Sequence, residues 1–253
     1  MSDFVLFWDI DLTLLSTARA GIFALEDAAR DVLGADPDYS ELRTAGLTDS
    51  QIARMLMERH GVEESPERVG AFLRAYEARL PTRLPERQGW VLDGVQEILD
   101  DLRERPGVHS LLLTGNTPAG AAAKLAHYGL DGYFENGAFC MDMDDRDAIA
   151  HRALDIAETT IGEPPDLDST FVIGDTAHDI ACGKAIGVRT VGIASGVVTA
   201  GELERYGPWL VWERLPKPDE FAHALGLPAR EEGAGGTGEQ VEGGGEHERL
   251  RRP

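Results

Sequence analysis

The chain has 253 residues and is acidic, with 24 Lys plus Arg against 45 Asp plus Glu and a formal net charge of -21. Such a chain repels phosphate backbones and anionic membrane surfaces, which argues against nucleic acid or a membrane as partner. A small anionic substrate remains open only if a metal or a local basic group overrides the overall field. The two cysteines, Cys140 and Cys182, stand in no metal-like spacing and argue against a disulfide framework, so buried inert thiols are expected. The N-terminus has no basic n-region, its apolar run meets Asp9 after five residues, and no stretch reaches the ~18 apolar residues of a membrane span. A cytoplasmic protein is expected.

In chain order, the first element is the apolar run "FVLFW" at 4–8, read as a buried strand that ends on Asp9 and Asp11. Period-2 geometry points these two carboxylates roughly the same way. From about Ser16 to Gln88 only helical patterns follow. "TDSQIARMLMERHG" offers caps at Thr48 or Asp49, an apolar face of Ile52, Met55 and Leu56, and Gly61 as a stop. Val69, Phe72, Leu73, Tyr76 and Leu80 form another helix face, and "LPTRLPERQGW" supplies two prolines and a glycine as a hinge. Val95, Ile98, Leu99 and Leu102 mark the next helix, then "SLLLT" at 110–114 a strand. Ile149, Ala153, Ile156 and Ala157 mark a helix capped at Asp147. "TFVIGD" at 170–175, "TVGIAS" at 190–195 and the weaker "LVW" at 210–212 complete the strands.

Strands alternating with helices predict an α/β protein with a doubly wound, Rossmann-like parallel sheet. Residues 1–15 and 89–227 form this core, 16–88 a helical insert, and 228–253 a Gly/Glu-rich tail too poor in apolar residues to offset its ordering entropy. The insert leaves the carboxyl end of the first strand, where open α/β sheets bind ligands. His60, His109 and His127 have no ligand spacing and read as surface or packing residues. Trp8 and Trp90 are expected to pack between the sheet and the hinge.

If the runs are parallel, their carboxyl ends share one sheet edge. Asp9, Asp11 and Thr13, then Thr114, Gly115 and Asn116, then Asp175 and Asp179 all fall there. Converging aspartates without a cation are strongly destabilising. Mg²⁺ is the economical answer, since it takes oxygen ligands and pairs with substrate phosphate. Asp9 then stays ionised as a nucleophile. Thr114, the Gly115 and Asn116 N–H groups and one cationic side chain would surround the phosphoryl oxygens.

"DIDLT", "LLLTGN" and "VIGDTAHDI" resemble motifs one, two and four of the haloacid dehalogenase superfamily, in order and spacing, over roughly residues 4–227. The insert resembles its type-one helical cap, and "GLTDSQI" the cap loop of phosphoglycolate-phosphatase-like members. The resemblance implies Asp9 as the nucleophile that becomes an aspartyl-phosphate and Asp11 as general acid/base. It implies Mg²⁺ held by Asp9, the Asp11 backbone carbonyl and Asp175, with Asp179 a ligand or close partner, and Thr114 on the phosphoryl group. In this superfamily dehalogenases lack the second aspartate.

There are two departures from the pattern. Leu12 replaces the glycine of "DxDGT" and crowds the turn. No "KP" pair stands about 30 residues before Asp175. Lys124, on the helix after motif two, is the favoured replacement cation, with Arg146 at about the expected sequence position and Lys184 a third choice. Thr13, Gly115, Asn116, Arg146, Thr48 and Asp49 are the expected substrate-binding residues. The resulting expectation is a Mg²⁺-dependent phosphatase of a small phosphorylated metabolite. A phosphomutase and a phosphate-binding protein that has lost turnover are the alternatives. Thr13 favours the phosphatase.

Overall fold

The computed structural model describes residues 3–141, 145–196 and 198–230. The first apolar run is strand β1 (Phe4–Trp8), and its alternation sets the two faces of the fold. Val5 and Phe7 point into one apolar cluster with Ile149, Ala153 and Cys182. Leu6 and Trp8 point the other way, into a cluster with Val95, Leu125 and Phe221. A strand covered on both faces must be apolar at every position, which is why this run does not alternate in sequence.

After β1 the chain passes through β2 (Leu15–Ser16) into α1 (Ala20–Leu33), α2 (Asp49–Arg59) and α3 (Pro66–Arg83). It returns through β3 (Trp90–Val91), which pairs antiparallel with β2. The remaining elements are α4 (Val95–Arg103), β4 (Val108–Leu113), α5 (Pro118–His127), β5 (Gly137–Ala138), α6 (Arg146–Ile161), β6 (Thr170–Gly174), α7 (Ala177–Ala185), β7 (Arg189–Ile193), α8 (Ala200–Glu204), β8 (Leu210–Trp212) and α9 (Pro218–Leu225). Six strands form one parallel sheet in the order β5-β4-β1-β6-β7-β8. The expected doubly wound α/β architecture is the observed one.

Helices α1 to α3 gather an apolar cluster of their own. Val69, Phe72, Leu73, Tyr76 and Leu80, the stripe read on α3, are all buried in it beside Ile52, Ala53, Leu56 and Met57 of α2. Each such side chain contributes about 1.5–3 kcal/mol by its burial. Helix α2 starts with a capping box: the Gln51 amide donates to Thr48 Oγ1 at 3.2 Å, and the Thr48 amide donates to Gln51 Oε1 at 2.9 Å.

Several local readings are corrected. Helix α3 runs through Pro81, so the proline stretch is helical in its first residues, and the chain returns to the sheet through the two-residue ribbon of β2 and β3. Pro81 lies in the last turns of α3 on an exposed position, where water can reach the backbone that loses its amide partner. Helix α6 is capped by Asp145, which accepts from the Ala148 amide at 2.9 Å, and Asp147 sits in its first turn. Trp8 stacks on Phe221 with ring centroids 5.7 Å apart, whereas Trp90 is 54% exposed. Neither packs between sheet and hinge as expected. The tail, read from residue 228, lies outside the described residues from 231 onward.

Candidate active site

Parallel pairing brings the ends of β1, β4 and β6 to one edge, as the strand reading requires. Asp9 follows β1 directly and is anchored by its amide, which donates to the Ile173 carbonyl at 3.0 Å. Its carboxylate is buried, hydrogen-bonded to the Thr114 side chain, and pushed up to about 7. Burial is the main cause, with Asp179 and Asp11 adding to it and Arg146 and Thr114 opposing it. Asp175, the first residue past β6, is pushed up to about 9 by burial, then by Asp179 and Asp9.

Asp9, Asp175 and Asp179 each present a carboxylate oxygen, all within 4.8 Å of one another. Asp179 reaches this point because α7 turns back over the end of β6. Its Oδ2 accepts from the Thr176 amide at 3.0 Å and hydroxyl at 2.6 Å, closing the capping box of α7. Gly174 makes the return possible: a Cβ there would lie 2.3 Å from Asp179 Cβ. Three buried carboxylates at this spacing form a hard, all-oxygen donor set that suits a divalent cation such as Mg²⁺. Burial first, and like charge second, raise Asp9 and Asp175 in the protein alone.

Asp11 does not join this group. Its Oδ2 accepts from Lys124 Nζ at 2.5 Å and from Asn116 Nδ2 at 3.0 Å, while its side chain stays 42% exposed. Lys124 is buried and also donates to Asn116 Oδ1 at 2.6 Å. Burial alone would lower the lysine, but Asp11, Tyr76 and Asp49 outweigh it and hold it above its ordinary value, so it is charged. Asn116 ties the halves together by donating also to Thr114 Oγ1 at 2.8 Å.

Arg146 lies at the other side of the cluster. Its Nη1 donates to Asp179 Oδ1 at 2.7 Å and its Nε to the Gly46 carbonyl at 2.9 Å. The two replacement cations therefore sit on different carboxylates, Lys124 on Asp11 and Arg146 on Asp179. Lys184 is exposed, donates to the Tyr206 carbonyl and belongs to neither pair.

The insert meets the β4 loop directly. The Asp49 amide donates to the Gly115 carbonyl at 2.8 Å, and Asp49 Oδ2 accepts from the Thr117 amide at 2.8 Å. Asp49 is pushed up to about 6 by burial, against the pull of Lys124 and the Thr117 amide. Thr48 spends its hydroxyl on the helix cap and on Ser50 Oγ at 3.1 Å. Thr13 is fully buried, and its hydroxyl has no partner among the described residues. Both cysteines are buried, with Cys182 pushed up to about 12 chiefly by burial.

Leu12 occupies the glycine position of its motif with φ 59. For a leucine this left-handed backbone costs about 1–2 kcal/mol. Sequence reading passed over three neighbours. Ser195 donates its hydroxyl to the Leu12 carbonyl, and Gly196 lies so close to Asp175 that a Cβ would be 2.5 Å from Oδ2. His178, inside the fourth motif, packs on Gly46. The "ASG" after the 190–193 run was a usable signal for the first two, because it ends a parallel strand at the same edge; no local pattern marks the third.

Four carboxylates at the strand ends of a parallel sheet, two buried cations and a helical insert above them define a class of hydrolase. Residues 6–184 match the family model of haloacid dehalogenase-like hydrolases, and 148–225 match a HAD-hydrolase-like model. The chain belongs to the haloacid dehalogenase-like hydrolase family. Among individual proteins, it is 29% identical over 234 residues to "Probable phosphatase IndB" of Dickeya dadantii, covering 89% of this chain and 95% of that one. A predicted phosphoglycolate phosphatase from Haemophilus somnus has the same fold, with TM-score 0.64, 17% identity and coverage of 89% and 97%. CbbY from Rhodobacter sphaeroides, solved with phosphate, matches with TM-score 0.65, 20% identity and coverage of 84% and 94%.

Proposed function

We propose that this protein is a cytoplasmic, Mg²⁺-dependent phosphatase of small phosphomonoesters, working through an aspartyl-phosphate on Asp9, with residues 16–88 as its cap. The observation that carries this reading is the cluster of Asp9, Asp175 and Asp179 within 4.8 Å, with Asp11 two residues from the nucleophile on a separate ion pair. The phosphatase name of the Dickeya dadantii relative and the phosphate held by the Rhodobacter sphaeroides protein agree with it.

Asp9, Asp175 and the Asp11 carbonyl would hold the cation, and Asp179, engaged by Arg146 and Thr176, steadies the set. When bound, Mg²⁺ neutralises the carboxylates and the incoming phosphate and draws charge off the phosphoryl oxygens. Asp9 attacks phosphorus through a carboxylate oxygen as the ester P–O bond breaks, and Asp11, as the general acid, passes a proton to the departing alcohol. Asp11, now a carboxylate, takes a proton from a water molecule as that water attacks phosphorus, releasing phosphate and restoring Asp9. Thr114 and the Gly115 amide donate to the phosphoryl oxygens, with Asn116, Thr13, Thr48 and Asp49 in the walls around the substrate. Lys124 holds Asp11 and Asn116 in register, and Arg146 supplies positive charge beside Asp9 and Asp179.

The test is phosphate release from p-nitrophenyl phosphate and a panel of small phosphate esters, with Mg²⁺ or with EDTA. Turnover is expected only with Mg²⁺ and falls by about a thousandfold or more in Asp9→Asn. Transfer of the phosphoryl group to a second hydroxyl of a sugar phosphate, in place of release, would convert the reading to a mutase. A folded, Mg²⁺-binding protein that releases nothing from any ester would overturn catalysis altogether.

A further inference from the structure

Arg146 joins two elements of the site through two nitrogens of its guanidinium. One face of its fork holds Asp179 Oδ1 at 2.7 Å, and its Nε holds the Gly46 carbonyl of the insert at 2.9 Å. The two bonds leave from different nitrogens of one rigid plane, whereas an ammonium would have to reach both acceptors from a single nitrogen. Arg146 Nη2 lies close to Gly115 as well, 3.1 Å from where a Cβ on that residue would be. The guanidinium therefore lies against the carboxylate cluster, the β4 loop and the insert at once, while 10% of its side chain is exposed.

Gly46 is shaped for this contact. Its φ of 76 is left-handed, and a Cβ would lie 2.2 Å from the ring of His178, the neighbour of Asp179. The turn closes by the Leu47 amide donating to the Thr44 carbonyl at 3.0 Å. Three residues on, Asp49 is fixed to Gly115 and Thr117. Gly46 and Asp49 of the insert are thus seated beside His178 at the start of α7 and on the β4 loop, and the Arg146 side chain joins this seat to the carboxylate cluster.

We propose that Arg146 is a latch: it holds the 44–49 segment closed over the site and ties that closure to the state of the carboxylate cluster through Asp179. The proposal rests on the phosphatase reading only in taking this segment as the cover of the site. The role of Arg146 is positioning, through Gly46 and Asp179.

The test is amide hydrogen exchange on the full chain with Mg²⁺, comparing wild type, Arg146→Lys and Gly46→Ala, with p-nitrophenyl phosphate kinetics alongside. Arg146→Lys keeps the charge, yet exchange across 44–49 is expected to quicken at least tenfold while 108–113 stays protected. Gly46→Ala, which leaves the Arg146–Asp179 pair in place, is expected to free the same segment and to raise KM more than it lowers kcat. If 44–49 in Arg146→Lys exchanges as in wild type, the latch is overturned. It is equally overturned if Arg146→Lys frees the segment and Gly46→Ala does not, because the effect then runs through Asp179 alone. A wild type inactive on every ester would sink the phosphatase reading, and the exchange data would still decide the latch.

Discussion

The insert and the edge of the sheet below it are both densely buried, but for opposite reasons. Between α1, α2 and α3 the buried side chains are apolar, and every one adds to stability. At the edge Asp9, Asp175 and Asp179 are buried together, and in the protein alone the charged forms of Asp9 and Asp175 are disfavoured first by burial and then by neighbours of the same sign. Arg146 offsets part of that cost and Lys124 serves a separate carboxylate. Stability and chemistry are therefore carried by different residues a few ångströms apart. The insert can be strengthened without touching the site, whereas the edge cannot be made comfortable without losing its affinity for a cation.

The sharpest way to break this contrast is to damage the insert alone. Phe72 is fully buried in the insert cluster, and Phe72→Ala is expected to lower stability by about 3–5 kcal/mol. For a chain of this size each kcal/mol moves Tm by about 2–4 °C. The increment in Tm that saturating Mg²⁺ adds should stay the same, since no insert side chain belongs to the carboxylate cluster. A Mg²⁺ increment that vanished together with the stability would show that the two regions are one cooperative unit for metal binding.

A smaller effect comes from pH. Asp9 and Asp175 have folded values of about 7 and about 9, above their ordinary 3.8, so the folded protein holds those protons more tightly than the unfolded chain. Their contribution is complete below about pH 4 and is lost as pH rises through 7 and then 9. Cation-free protein is thus expected to lose roughly 5–10 °C in Tm between pH 6.5 and 9. Mg²⁺ should flatten this slope, with a larger increment at pH 9 than at pH 6.5. Asp175→Asn should flatten it without metal and should no longer respond to Mg²⁺. A cation-free melting curve that is level across this range would remove the electrostatic half of the contrast.

The smallest effect concerns Leu12. Its left-handed backbone is strained, and Leu12→Gly removes that strain but makes the unfolded chain more flexible and gives up a half-buried side chain. A net gain of no more than about 1 kcal/mol is expected in thermal or urea unfolding. A loss beyond about 1 kcal/mol would mean that the Leu12 side chain, which packs near Gly196, contributes more than its backbone costs.

Much of this was legible along the chain. Five of the strands were marked by continuous apolar runs, because burial on both faces leaves no room for alternation. β5 escaped notice because two residues, Gly137 and Ala138, are too short to make a pattern. The β2–β3 ribbon escaped because its partners are 74 residues apart for Ser16 and Trp90, and antiparallel pairing at that distance has no local signature. The helix faces on α2 and α3 were legible from their spacing, and Thr48 from its capping chemistry.

The acids of the site were legible for the same reason as the strands: a parallel sheet gathers strand ends, so Asp9, Asp11, Thr114 and Asp175 had to meet once the runs were read as parallel. The partners of the cations were not. Lys124 is 113 residues from Asp11, Arg146 is 33 from Asp179 and 100 from Gly46. Which cation takes which carboxylate depends on the exact lean of α5 and α6 against the sheet and on where the insert comes to rest. Sequence fixes the kind of group at each strand end, because backbone period and burial are local; the pairing of charges across elements is decided only when the packed helices bring them within hydrogen-bond reach.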